Sequence, residues 1–226
     1  SGAGRNMSQS TAGNQPTREL AQVNGRAVVR FDGTDDRLEL GTGNLDLLRN
    51  LEGATLFVVS RVNDTNTDKN LFWAAVNGTT NSRARFEKSS DGAYEIGGRR
   101  LDADSYDNLS TPPNYATDVV VDTVDYDWAN TTITLYNDGT QVDTDTGWLT
   151  AGSTSDTDSF FIVLGCGHAG GVYANFTDGD ICEVLVYQRV LSESERDQVV
   201  TYLSDRWLGG NDINVQSAWV GAFTEE

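Results

Sequence analysis

The chain has 226 residues and a formal net charge of −18, from 34 Asp and Glu against 16 Lys and Arg. That length buries one sizeable core, and no apolar run approaches the ~20 residues that a membrane-spanning helix needs. The charge argues against nucleic acid and anionic membranes as partners, because phosphate binding needs clustered Lys and Arg.

The acidic residues are mostly Asp, and they are scattered among Thr, Ser and Gly rather than gathered in a tail. Only Lys69 and Lys88 are lysines. Such a surface repels itself in dilute buffer and is tolerated when salt screens it. The composition matches that of halophilic proteins and leads us to expect a high-salt source, haloarchaeal or a virus of such cells. The plain alternative is an ordinary acidic secreted domain.

In chain order, residues 1–25 are polar and read as an extended lead-in loop. Strand patterns follow at 26–31, 54–62, 70–76, 82–88, 117–126, 131–137, 141–145, 160–166 and 180–187. They are rich in Val, Ile, Thr, Tyr and Phe and are bounded by Gly, Asn, Asp and Pro. Many short strands with turns between them predict a sandwich or barrel. In 82–88, Arg83, Arg85 and Glu87 share one face, opposite Ala84 and Phe86. Asn137-Asp138-Gly139 is a hairpin turn signal. The strands at 160–166 and 180–187 are apolar on both faces, so they belong near the centre of a sheet or under a covering element.

Residues 192–207 read as that cover, an amphipathic helix packed on a sheet. Ser192 and Glu195 form a capping-box pattern, and Val199, Tyr202, Leu203 and Trp207 make an apolar stripe. Gly209-Gly210 ends the helix. Its polar face is acidic, which disfavours a membrane-surface role. Residues 211–226 form an extension with a candidate strand around Val215 to Phe223.

Several of these segments carry a resemblance. They are Asn24-Gly25 running into Arg30-Phe31-Asp32-Gly33-Thr34-Asp35-Asp36, then Leu135-Tyr136-Asn137-Asp138-Gly139, Leu164-Gly165, Gly179 to Tyr187, and Leu191 to Trp207. In these the sequence resembles the laminin-G-like group of concanavalin-A-like domains. The resemblance implies an all-β fold, a two-sheet antiparallel jelly-roll sandwich over 26–210 with one C-terminal helix. Ser1-Gly2-Ala3-Gly4 matches the middle of a lead-in motif, which implies an upstream piece. Such domains bind sugars or partners more often than they cleave anything.

A retaining glycosidase needs two carboxylates roughly 5 Å apart. No Glu-x-Asp-x-x-Glu run is present, and the odd spacing of Asp180 and Glu183 predicts opposite faces, so the chain reads as non-catalytic. His168 after Cys166-Gly167 has no third member for a nucleophilic site and reads as a loop histidine. Calcium suits loop carboxylates, and the candidate ligands are Asp32, Asp35, Asp178 and Asp180. Cys166 and Cys182 each lie in or beside an apolar strand, and are either a disulfide or two buried thiols.

Sugar binding needs aromatic faces and polar side chains. The candidates are Trp73, Arg83, Arg85, Glu87, Tyr94, Arg99 and Tyr106, with the arginines suited to a carboxylated or sulfated glycan. The expected function is a lectin-like recognition domain outside the cell, at a cell surface or on a virion. Its expected partner is a cell-surface glycan or glycoprotein, beside other subunits of a larger surface or virus assembly. The rival expectation is a structural decoration module of such an assembly, with no ligand.

Overall fold

The computed structural model describes residues 5–63, 66–76, 82–113, 115, 117–169 and 172–209. Two seven-stranded antiparallel sheets face each other. The front sheet runs β1 (Met7–Ser8), β4 (Leu38–Leu40), β13 (Phe161–Leu164), β6 (Lys69–Ala75), β7 (Ser82–Lys88), β8 (Tyr94–Gly98) and β9 (Asp107–Ser110). The back sheet runs β12 (Thr140–Asp145), β11 (Thr132–Asn137), β10 (Val120–Asp127), β5 (Gly53–Val62), β16 (Asp178–Tyr187), β3 (Arg26–Asp32) and β2 (Thr17–Val23). A small hairpin, β14 (Gly167–Ala169) with β15 (Val172–Ala174), completes the strands. The sandwich agrees with the expected fold class.

Alternation explains the core. Leu56 and Val58 of β5, Val124 and Tyr126 of β10, and Phe72, Phe86 and Ile96 of the front sheet all point between the sheets. Trp128 stacks on Tyr126 at 5.7 Å between ring centroids and meets Trp148 at 6.2 Å. Each such side chain contributes about 1.5–3 kcal/mol by leaving water. The β11–β12 turn uses Asp138 and Gly139 at φ of 46° and 82°, the left-handed pair that a two-residue hairpin requires.

The helix α1 (Glu193–Trp207) lies on the outer face of the back sheet. Val200, Leu203 and Trp207 pack on Val28, Phe57, Val59 and Val121. Its start is the expected capping box: Glu195 N–H donates to Ser192 Oγ, and Ser192 N–H donates to Glu195 Oε2 at 3.0 Å. The buried stripe is rotated from the expected one. Val200 is buried, whereas Tyr202 is 48% exposed. A buried ion pair anchors the helix, Arg196 Nη1 to Asp125 Oδ2 at 3.1 Å.

Two expectations need correction, and one open alternative is decided. Residues 17–23 are not loop: they form β2 on β3, at the edge of the back sheet, where a strand with one exposed flank tolerates the polar sequence Thr-Arg-Glu-Leu-Ala-Gln-Val. Of the two alternatives for Cys166 and Cys182, the structure has the pair of free thiols, not the disulfide. Cys182 packs beneath the helix while Cys166 ends up past β13 in the other sheet, and burial pushes both thiols up to about 12. Asp180 and Glu183 share the outer face, because a bulge at Cys182 puts one extra residue between them. Neither carboxylate is free for catalysis: Asp180 pairs with Arg30 and Arg61, and Glu183 pairs with Arg206 and accepts from Trp207 Nε1. Both lysines are fully buried. The candidate strand in 211–226 lies outside the described residues.

Candidate functional site

The outer face of the front sheet gathers polar and aromatic side chains around Arg85. Ala84 and Phe86 turn into the core, so their neighbours on β7 turn out. Register then sets Trp73 of β6 and Gly97 of β8 on either side of Arg85, and Asn70 and Glu95 on either side of Glu87. Arg85 Nη2 donates to Glu95 and lies 3.7 Å from Glu87 Oε1. The guanidinium sits 5.2 Å from the Tyr106 ring centroid and 6.0 Å from that of Trp73, within cation–π range.

Two glycines let the walls close in. At Gly97 a Cβ would meet Tyr106 Oη at 2.7 Å and Asp107 O at 2.5 Å, so only glycine lets the 101–108 loop lie across β8. On the other side a Cβ at Gly167 would meet Asn70 Nδ2 at 2.7 Å and Trp73 Cε3 at 3.2 Å. That contact brings the β14–β15 hairpin over β6. Asn175, just past the hairpin, donates to Glu87 Oε2 at 3.2 Å, and Asn70 donates to the same oxygen at 2.5 Å. Phe161, His168 and Tyr173 continue the face as an aromatic cluster, with Arg37 lying 4.0 Å over Tyr173.

The site is poorly satisfied. Asn70 Oδ1, Trp73 Nε1, Arg85 Nε, Arg99 Nε, Tyr106 Oη and His168 Nδ1 are buried with no hydrogen-bond partner among the described residues. Leaving one buried polar atom unpaired costs about 1–3 kcal/mol. Ordered water or a ligand would supply such partners, here as at the other buried polar atoms in the sandwich that lack one.

Charge is tuned by crowding. Burial alone would lower the Arg85 pKa, but Tyr106, Glu87 and Glu95 outweigh it and raise it, so the guanidinium stays charged. Burial raises the Glu87 carboxyl, against the pull of Arg85 and Asn175. Burial also raises the Tyr106 phenol, which is a neutral hydroxyl at every ordinary pH. Arg99 is lowered by burial, partly offset by Asp104 and Asp102.

Of the expected ligand residues, Trp73, Arg85, Glu87 and Tyr106 converge, and Arg99 lies one residue past β8 on the same face. Two do not join them. Arg83 has no exposure and is tied to Thr157 O at 2.8 Å, Asp102 Oδ1 at 2.6 Å and Leu48 O at 3.3 Å, so it braces the loops. Tyr94 points between the sheets, stacked on Phe86 and taking a hydrogen bond from Asn137. Sequence reasoning missed Glu95, Asn70 and Asn175, whose roles come from register and from the hairpin's path.

The acidic candidates also divide. Asp32, Asp35 and Asp36 bring carboxylate oxygens within 4.8 Å of one another and could hold a metal ion. Backbone N–H groups of Thr34 and Asp35 already donate to Asp32 Oδ1, and that of Asp32 donates to Asp36. Asp178 instead accepts from Asn63, and the two arginines hold Asp180.

The fold is shared with solved structures of low sequence identity. The IT-sialidase CBM40 of Ruminococcus gnavus, solved bound to α2,3-sialyllactose, is 20% identical over 76% of this chain and 95% of its own, with a TM-score of 0.63. A botulinum neurotoxin type C structure, whose cell entry depends on two ganglioside molecules, is 12% identical over 89% of this chain and 47% of its own, with a TM-score of 0.60. The SAP-like pentraxin of Limulus polyphemus is 14% identical over 76% and 80%, with a TM-score of 0.55. No curated protein matches the chain. Residues 32–195 match the family of concanavalin A-like lectins and glucanases, its laminin-G-type branch. With that match over most of its length and the sandwich described above, the chain belongs to the concanavalin A-like lectin/glucanase superfamily.

Proposed function

We propose that this protein is a non-catalytic, lectin-like recognition domain that binds a cell-surface glycan outside the cell. The ligand lies on the outer face of the front sheet, over Trp73, Arg85, Glu87 and Tyr106. The observation that carries this reading is the convergence of Trp73, Tyr106 and Glu87 around the Arg85 guanidinium on one sheet face. The aromatic rings offer apolar faces to a pyranose, while Glu87, Glu95 and Asn70 suit its hydroxyls. Arg85 and Arg99 favour a sugar bearing a carboxylate or sulfate, since guanidinium groups pair well with such anions. Two structures of the same fold, the R. gnavus CBM40 bound to sialyllactose and the ganglioside-dependent neurotoxin, support an acidic glycan. At the site itself Glu87 and Glu95 are both engaged by Arg85, which supports recognition rather than hydrolytic chemistry. Calcium, where recognition uses it, belongs to the Asp32–Asp36 loop.

The test is calorimetric titration of the domain with sialyllactose, a sulfated lactose and plain lactose, in molar salt with and without calcium. Binding of a charged sugar, weakened at least tenfold by Arg85→Gln, is the expected result. A folded protein that binds none of the three would refute the acidic-glycan reading.

A further inference from the structure

The back sheet has a gap in its pairing. The ladder between β16 and β3 runs from Asp178 to Ile181 and stops there, while Glu183–Tyr187 pair with β5 alone. Val184 and Val186 point inward opposite Val58 and Leu56, yet they are only half-buried where their partners are fully buried. Between this free edge and the β1–β4 flank of the front sheet lies an apolar groove of about 500 Å3. Met7, Leu38, Leu40, Ile162, Val184 and Val186 line it. Its size would suit a small apolar ligand. A row of backbone groups with no ladder partner among the described residues favours a strand, which satisfies the edge and fills the groove together.

The last turn of α1 packs beside this gap. Trp207 Nε1 donates to Glu183 Oε2 at 2.7 Å, and Arg206 Nε lies 2.9 Å from the same oxygen. Glu183 is at the groove's rim. The last turn of the helix therefore lies beside the start of the free edge, with Gly209 following next to Asn24 at the β2–β3 turn. Beyond it, Ile213, Val215, Trp219 and Phe223 fall on one parity and so on one face of an extended chain. A five-residue edge is about 17 Å long, and the remaining residues reach roughly three times as far when extended.

We propose that residues 211–226 of this same chain dock in the groove, adding a strand to the free edge of β16 and burying their apolar face between the sheets. The strand, the helix and the added strand then form a β-α-β crossover, in which the fifteen residues of α1 supply the length that a parallel connection needs. The proposal is independent of the glycan reading, because the groove opens between the sheets and is lined by none of the residues that gather around Arg85.

The experiment is hydrogen exchange on the full chain at two protein concentrations tenfold apart, with Trp219→Asp and Val215→Pro as variants. Amides of Glu183–Tyr187 that do not bond to β5 are expected to be protected in the parent, and to exchange about 100-fold faster in both variants. Amides of β10 serve as the folding control, expected unchanged throughout. Fast exchange in the parent overturns the proposal, because the edge is then open. Equal protection in parent and variants overturns it too. Protection that grows with protein concentration overturns it in favour of a strand donated by a second copy.

Discussion

Removing Lys88 alone should damage this protein more than removing its whole ion pair. Lys88 Nζ lies 3.1 Å from Asp122 Oδ2, and neither side chain has any exposure. The ammonium also sits over the Tyr94 and Tyr115 rings, at 5.6 and 5.8 Å. Asp122 Oδ1 accepts from Asn137 Nδ2 at 3.0 Å, whereas Oδ2 has no hydrogen bond of normal geometry beside the ion pair. At an effective dielectric constant near 20, charges this close attract by about 5 kcal/mol. Desolvation cancels much of that, so the pair contributes little net stability, while a lone buried charge costs about 3–5 kcal/mol. Lys88→Met should therefore lower the thermal midpoint by about 10 °C for a domain of this size. The double variant Lys88→Met with Asp122→Leu should recover most of that loss, since Asn137 keeps Tyr94 Oη as a partner. Urea unfolding of the parent, both single variants and the double variant closes the cycle. The reasoning fails if Lys88→Met costs less than about 1 kcal/mol, or if the double variant loses the sum of the two singles.

Three further outcomes are expected. Burial pushes the Asp180 carboxyl up, but hydrogen bonds from Arg30 and Arg61 outweigh it and hold it below its ordinary value of 3.8. A depressed carboxylate contributes stability above pH 4 that is lost as pH falls through the lowered pKa, so Asp180→Asn should flatten the loss of urea midpoint between pH 5 and pH 2; parallel curves for parent and variant would count against it. Ser192→Ala removes the helix cap and should cost about 1 kcal/mol in chemical unfolding, with no change in glycan affinity. The dispersed acidic surface should make the thermal midpoint rise from dilute buffer to molar salt, where the screening length falls to about 3 Å; a flat salt dependence would remove the high-salt reading.

Much of the fold is legible because its signals are local. Ser192 and Glu195 sit three residues apart and cap one helix end, and Asp138-Gly139 fixes a turn by backbone preference alone. Parity on β7 correctly separates Arg85 and Glu87 from Phe86. The misreadings come from features with no local mark. The bulge at Cys182 adds one residue and reverses the parity that should separate Asp180 from Glu183. Arg83 shares a face with Arg85 yet is covered by loops from residues 102 and 157, which are distant in sequence. Tyr94 shares parity with Ile96, a signal that could have placed it in the core. Glu95 enters the site only through its register with Glu87, and Tyr106 only because Gly97 lacks a side chain.

Both lysines of the chain are sealed in the interior, so among the described residues the surface side-chain cations are guanidinium groups. Reagents and enzymes that modify side-chain amines will find none to attack until the sandwich opens. Acylation of Lys69 and Lys88 thus becomes a clock for unfolding, with negligible background from the native state. Attachment to a support through lysine side chains would select for unfolded molecules, and carboxylate chemistry is the sounder route, since Cys166 is as deeply buried as the lysines and Cys182 is packed beneath the helix.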